Sequence, residues 1–240
     1  MLLLGHLSDL HLKGEPNRRA RIVSALAYAK TFKPDHLVLT GDLTSSGTMG
    51  QMAELSNVLA ETGWTNVTVI PGNHDAGHAF DQALSAGGHL ERFERFSRGV
   101  VDLGEVRIVP LDTRFRKRAV AFSALGLIGK TQLAGLESVM ASGHKTTIIA
   151  QHHGPQYHPL GFFDGLVDRG SMLSFLKRHP SVHLLAGHDH RVLDIGSIHV
   201  AASAAHHLDP LRLYRVGAGG FEVAYKSQSP GSYLTFGRPR

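Results

Sequence analysis

The chain contains no cysteine. Disulfides and thiolate metal ligands are thereby excluded, and any metal must be held through nitrogen and oxygen. No run approaches the roughly 20 apolar residues of a membrane span, and the first residues enter a short strand-like segment with no basic stretch and long apolar run behind it. On this ground the chain reads as soluble and cytoplasmic. Aromatic residues make up only 7%, which leaves no repeated platform on which bases could stack. The net charge of +5 is spread along the chain and forms no long block. Such a surplus reads as a mildly basic surface suited to a phosphate-bearing substrate, with nucleic acid as a less favoured partner. At 42% hydrophobic, 240 residues suffice for one sizeable α/β core. We expect a single domain over 1–226 and a loose tail over 227–240, where Gly, Pro, Ser and Arg dominate.

Histidine, by contrast, is abundant, with 17 copies. A single histidine is more often an ordinary surface or core residue than a ligand, so position has to decide. Five short apolar runs each stop abruptly in polar residues. Val67-Thr68-Val69-Ile70 leads to Pro71-Gly72-Asn73-His74-Asp75, and Leu2-Leu3-Leu4 leads to Asp9 and His11. Leu37-Val38-Leu39-Thr40 leads to Gly41-Asp42, Ile148-Ile149-Ala150 to His152-His153, and Leu184-Leu185-Ala186 to Gly187-His188-Asp189-His190. Open α/β sheets place their sites at the carboxyl ends of strands. One polar cluster is therefore expected where these five ends converge.

The intervening segments support that order. Helices are expected near 17–32, with Ile22, Leu26 and Ala29 on one face and Asn17 as N-cap, and near 48–62, with Met52, Leu55 and Leu59. The resulting β-α-β-α-β pattern is that of a sheet with right-handed crossovers. Residues 76–99 read as a loop and helix covering the site, with Phe80, Leu84, Leu90, Phe93 and Phe96. Further helices are expected from Gly129 to about Ala141 and over 171–179, and strands over 106–111, 146–151 and 182–186. Residues 192–225 read as strands of a second sheet or its edge. Arg114, Arg116, Lys117 and Arg118 form the only basic cluster and read as a solvated loop. The segment 116–128 is the one candidate for touching a membrane or partner.

Asp9, His11, Asp42, Asn73, His152, His188 and His190 supply seven nitrogen or oxygen donors. An ion that leans to octahedral geometry takes about six ligands including waters, so this set with one shared carboxylate suits two ions better than one. Two ions about 3.5–4 Å apart can hold a bridging hydroxide and clamp phosphoryl oxygens during in-line displacement. Asp42 is the candidate for the shared carboxylate. In Asp9-x-His11 and His188-x-His190 the period-two alternation of an extended segment puts both side chains on one side, so that each pair would chelate with no special turn. His74 is placed to protonate a leaving oxygen, with Asp75 fixing its tautomer. His153 and His206 are the candidates for substrate contacts.

In this order, Asp9-x-His11, Gly41-Asp42, Gly72-Asn73-His74-Asp75, His152 and Gly187-His188-x-His190 resemble the complete signature of the calcineurin-like metallophosphoesterases. The resemblance implies an α/β fold, a four-layer α/β/β/α sandwich of two mixed sheets flanked by helices. It also implies two divalent or mixed-valence metal ions (Mn2+, Fe, Zn2+ or similar). Asp9, His11 and His190 would bind one ion, Asn73, His152 and His188 the other, Asp42 both, and His74 would be the acid. Ser8-Asp9-Leu10-His11, His152-His153 and Gly129-x-x-Gln132-Leu133-x-x-Leu136-Glu137 look like the class III cyclic-nucleotide phosphodiesterases, although Gly154 precedes Pro155 where that branch has two prolines. The implied activity is hydrolysis of a small phosphodiester, such as a cyclic nucleotide. A DNA or RNA nuclease and a lipid A precursor-type pyrophosphatase are the alternatives on the same centre.

Overall fold

The computed structural model describes residues 1–76, 78–91, 99–115, 124–143, 146–156 and 164–226. The expected tail, Phe93 and Phe96, and residues 116–123 of the segment expected to touch a membrane or partner lie outside the described residues. The elements run β1 (Leu2–Leu7), α1 (Pro16–Thr31), β2 (His36–Thr40), α2 (Met49–Glu61), β3 (Val67–Ile70), a 3-10 turn (Asn73–Asp75), α3 (Ala79–Leu84), β4 (Val101–Leu103) and β5 (Val106–Pro110). They continue with β6 (Leu125–Gly126), α4 (Gly129–Ala141), β7 (Thr146–Ala150), β8 (Gly165–Leu166), α5 (Arg169–Arg178), β9 (Val182–Ala186), β10 (Leu193–Ile195), β11 (Ile198–Val200), β12 (Arg212–Gly217) and β13 (Gly220–Lys226).

Helix α1 begins behind Glu15 with Pro16 in its first turn. A proline there loses no hydrogen bond, because the first N–H groups of a helix have no partner inside it, and its fixed φ suits the turn. The expected cap at Asn17 is thus displaced by the proline before it. At α2 the Thr48 side chain accepts from Gln51 N at 3.3 Å, a regular N-cap.

β1, β2 and β3 are parallel, as the two crossovers require. β2 is buried at all five positions. Its alternating residues face two cores: Leu37 and Leu39 join Ile22, Leu26, Leu55 and Leu59 beneath the helices, while Val38 points the other way and joins Leu4, Ile148 and Leu185. β7 and β9 divide likewise, with Ile149 and Leu184 against Leu136, Met172 and Phe175 of α4 and α5. Three cores between four layers follow, the α/β/β/α sandwich expected from the resemblance.

The first sheet has the order β13-β12-β1-β2-β3 and the second β10-β11-β9-β7-β5-β4, with β6 and β8 as a separate pair. Only β10 and β11 of the segment 192–225 therefore meet the expectation of second-sheet strands. β12 crosses back to pair antiparallel with β1, and β13 follows it. Arg212 on β12 is fully buried and donates to Val200 O at 2.7 Å while pairing with Asp194. It ties the returning strand to the neighbouring sheet. No helix among the described residues is long and apolar enough to cross a membrane.

Buried His36 bonds Thr68 Oγ1 at 2.8 Å, and burial pushes its pKa down to about 4. Below pH 6.5 the unfolded chain takes up this proton first, so stability falls as pH drops from 6.5 toward 4, by roughly 3 kcal/mol at most from this group. His36→Gln keeps a donor for Thr68 but does not titrate. Urea unfolding at pH 7 and pH 4.5 is expected to show a smaller acid loss in the variant; an unchanged loss would refute a neutral buried His36.

Candidate metal centre

The five strand ends do converge. Asp9 and His11 follow β1, Asp42 follows β2, Asn73 and His74 follow β3, His152 follows β7, and His188 and His190 follow β9. Backbone bonds lay the first two loops side by side: Asp9 N donates to Gly41 O at 3.0 Å and His11 N to Asp42 O at 2.9 Å. Ala205 N and Ser203 Oγ both donate to Asp9 O, at 3.1 and 3.0 Å, and Gly187 N joins His152 O at 3.0 Å.

The expected extended chelating pairs are not what forms. Asp9, His11, Asp42, His188 and His190 have φ of 55°, 46°, 47°, 71° and 55°, and Lys33 is the only other such non-glycine among the described residues. In this left-handed region a side chain costs about 1–2 kcal/mol per residue. A strand continued to these positions would carry the side chains past the sheet edge, whereas the left-handed turn folds each back toward the others. Such strain clusters where surrounding structure imposes it for function.

One ligand atom each from Asp9, His11 and His190 lies within 4.8 Å of the others, and the same holds for Asp9, Asp42 and His152, for His11, Asp42 and His74, and for His152, His153 and His188. Asp42 thus stands between the groups, with Oδ2 3.7 Å from His11 Nε2 and Oδ1 3.4 Å from His152 Nε2. Asn73 Oδ1 is 3.1 Å from His152 Nε2. Buried Asp9 Oδ1 has no partner in hydrogen-bond geometry, although His190 Nε2 lies 3.1 Å away. Two buried carboxylates, one with an orphaned oxygen, amid nitrogen donors and without sulfur, fit divalent cations.

The buried carboxylates and the histidines around them offset one another's charge. Burial works against an ionised Asp9 and Asp42, yet the nearby His190, His152 and His11 hold Asp9, and His152 and His11 hold Asp42, below the usual carboxylate range. Burial likewise opposes a charged His152, but Asp42 and Asp9 outweigh it and raise the group to about 10. His152 Nδ1 donates to Thr40 O at 2.7 Å, which leaves Nε2 for the site.

The expected pairing of His74 with Asp75 does not occur. His74 Nδ1 donates to Ser45 O at 2.9 Å, because a carbonyl can only accept, and Nε2 sits 3.9 Å from Asp42 Oδ2 on the exposed face. Asp75 instead accepts from Leu43 N, Thr44 N and Gly72 N at 2.9 Å each and from Thr44 Oγ1 at 2.7 Å. Its carboxylate is saturated by the neighbouring loop and shapes the turn that carries Asn73 and His74. Arg114, expected in a solvated loop, is buried; Nη1 donates to Asp75 O at 3.0 Å and the guanidinium grips Asp112 and Asp81. No spacing in the sequence marks either contact.

His153 is fully buried, which removes it as an open substrate contact. Its Nδ1 meets Thr113 Oγ1 at 2.8 Å, Nε2 has no partner in hydrogen-bond geometry, and the ring lies 4.8 Å from that of His152 and 4.4 Å from that of His188. His206 is exposed, stacked 5.5 Å from His190 at the rim, and its Nδ1 is 3.0 Å from Ser203 Oγ. Asp164, which the sequence reading passed over, holds His188 Nε2 through a hydrogen bond.

A Cβ on Gly72 would lie 2.2 Å from Asp42 Oδ1 and 2.3 Å from Asp42 N. Gly72→Ala is therefore expected to displace Asp42 and to retain fewer metal ions per chain than the parent, measured by elemental analysis after dialysis. Equal retention would contradict this account of Asp42.

The sequence pattern of the calcineurin-like phosphoesterases matches residues 2–192. A probable cyclic nucleotide phosphodiesterase of Moraxella catarrhalis is 30% identical over 209 residues, covering 78% of this chain and 70% of that protein. Another of that description, from Rhodococcus erythropolis, is 30% identical over 201 residues, with 78% of this chain and 64% of that protein covered. A dimetal phosphatase from Danio rerio shares the fold at TM-score 0.64 and 15% identity, over 90% of this chain and 93% of the other.

Proposed function

The chain belongs to the calcineurin-like phosphoesterases, and from that premise we propose that it hydrolyses a small phosphodiester, a cyclic nucleotide by class, in a single domain over 1–226 acting in the cytoplasm. The observation that carries this reading is Asp42, which stands between a histidine group on each side. Asp9, His11 and His190 would hold one ion, Asn73, His152 and His188 the other, and Asp42 both. Manganese, iron and zinc all suit this nitrogen and oxygen set. When bound, two such ions supply Lewis-acid charge to the phosphoryl oxygens and lower the pKa of water for attack.

The chain's own residues do the rest. Asp42 is fixed from behind, since His74 N donates to its Oδ1 at 2.8 Å. His74 is anchored by Ser45 O through Nδ1, so Nε2 is the nitrogen left for the leaving oxygen, to which the ring in its imidazolium form would give the Nε2 proton and keep the Nδ1 proton on Ser45 O. Its ring is also set edge-on against His11, with centroids 4.8 Å apart. Asp75 and Arg114 hold the turn beneath it, and His206 at the open rim is placed to touch the substrate. The two relatives named as probable cyclic nucleotide phosphodiesterases support the substrate class.

Protein stripped by chelator and given manganese is expected to hydrolyse bis-p-nitrophenyl phosphate in preference to p-nitrophenyl phosphate, and to act on cyclic nucleotides. Preference for the monoester would count against the diester reading. His74→Asn is expected to lower kcat about 10²–10⁴-fold with unchanged metal content. Parent-like turnover of an unactivated diester by that variant would remove His74 as the acid.

A further inference from the structure

We infer that Asp164 is the positioning residue of the second ion site, holding His188 by Nε2 and thereby presenting Nδ1 to the metal. The inference rests on the dinuclear reading above. An imidazole binds metal through the nitrogen that carries a lone pair, and the hydrogen bond made by the other nitrogen decides which one that is. Asp164 Oδ1 meets His188 Nε2. A carboxylate oxygen accepts, so the ring proton sits on Nε2 and the lone pair on Nδ1. The His188 ring lies 5.1 Å from the His152 ring and 4.4 Å from that of His153, within the second histidine group.

The partner of His152 makes the comparison. That ring is held at Nδ1 by the Thr40 carbonyl, so it faces the site with Nε2. The two imidazoles of one ion site are thus fixed from opposite ring nitrogens, one by a strand carbonyl and one by a side chain from another loop.

That loop is built to keep Asp164 in place. Directly after it, Gly165–Leu166 pairs with Leu125–Gly126, and Val167 N continues the pairing to Gly126 O at 2.9 Å. Asp168 then accepts from Ile128 N at 3.1 Å and Gly129 N at 2.8 Å, and Arg169 Nε donates to Pro155 O at 3.3 Å. Asp164 therefore stands at the first position of a segment anchored on three sides. It connects the loop between β7 and α5 to the second ion site. Its side chain is 32% exposed, so its replacement leaves no hole in the core.

The test uses the full chain and the variants Asp164→Ala and Asp164→Asn. Long-range 1H–15N correlation on metal-free protein is expected to place the His188 proton on Nε2 in the parent and to show a mixture with Nδ1 in Asp164→Ala. Manganese titration against a competing chelator is expected to find one of two ions bound about 10–100-fold more weakly in Asp164→Ala, the other unchanged, and partial recovery in Asp164→Asn, whose amide oxygen still accepts. A proton on Nδ1 in the parent would overturn the inference. So would parent-like binding of both ions in Asp164→Ala, or equal weakening of both with a lower melting temperature of the metal-free chain, which would assign the residue to folding. A parent that binds no metal would instead sink the dinuclear reading, and the tautomer result separates the two failures.

Discussion

Two carboxylates buried beside each other dominate the energetics of this molecule. Asp9 and Asp42 are taken out of water at the meeting of two sheets, where an uncompensated charge is expensive. Nitrogen groups gather around them: His11, His152 and His190 surround the pair, His74 N caps Asp42, and His188 N donates to Asp9 Oδ2 at 3.1 Å. The left-handed turns at five of these positions are a second cost, imposed because only such turns fold the side chains back over the ends of the strands. A fold that tolerates both gains from a bound cation, which offsets the charge and holds the turns together.

The sandwich makes this arrangement possible. Parallel strands point their carboxyl ends the same way, and the inter-sheet core brings β1 to β3 against β7 and β9 so that both sets of ends open on one rim. Residues behind the rim hold it. Thr40 O orients His152, Asp75 gathers the backbone of Gly72, Leu43 and Thr44, and Arg114 links that turn to Asp112 at the end of β5. His74 can be exposed and chemically available because its neighbours carry the structural burden.

Much of this was legible in the residues. Strands buried on both faces read as unbroken apolar runs, and polar groups after five of them mark the rim. The helices were legible from their buried positions, such as Ile22, Leu26 and Ala29. Three things were hidden. The backbone of Asp9 or His188 is not encoded in residue type, so the left-handed turns looked like extended chain. β12 has the same alternation whichever sheet it joins, and only buried Arg212 and its pairing with β1 decide. Asp75 and Asp164 act on groups more than 20 positions away, Thr44 and His188, which no spacing rule connects. His153 shows the converse: its place beside His152 suggests a group lining the pocket, but its ring is buried against Thr113.

The central claim is that one carboxylate, Asp42, joins two cation sites built from five strand ends. Anomalous diffraction from crystals of the manganese-loaded protein tests it most directly. The account predicts two peaks on either side of Asp42, about 3.5–4 Å apart, one beside Asp9, His11 and His190 and one beside Asn73, His152 and His188. A single peak, or two peaks that do not share Asp42, would contradict it.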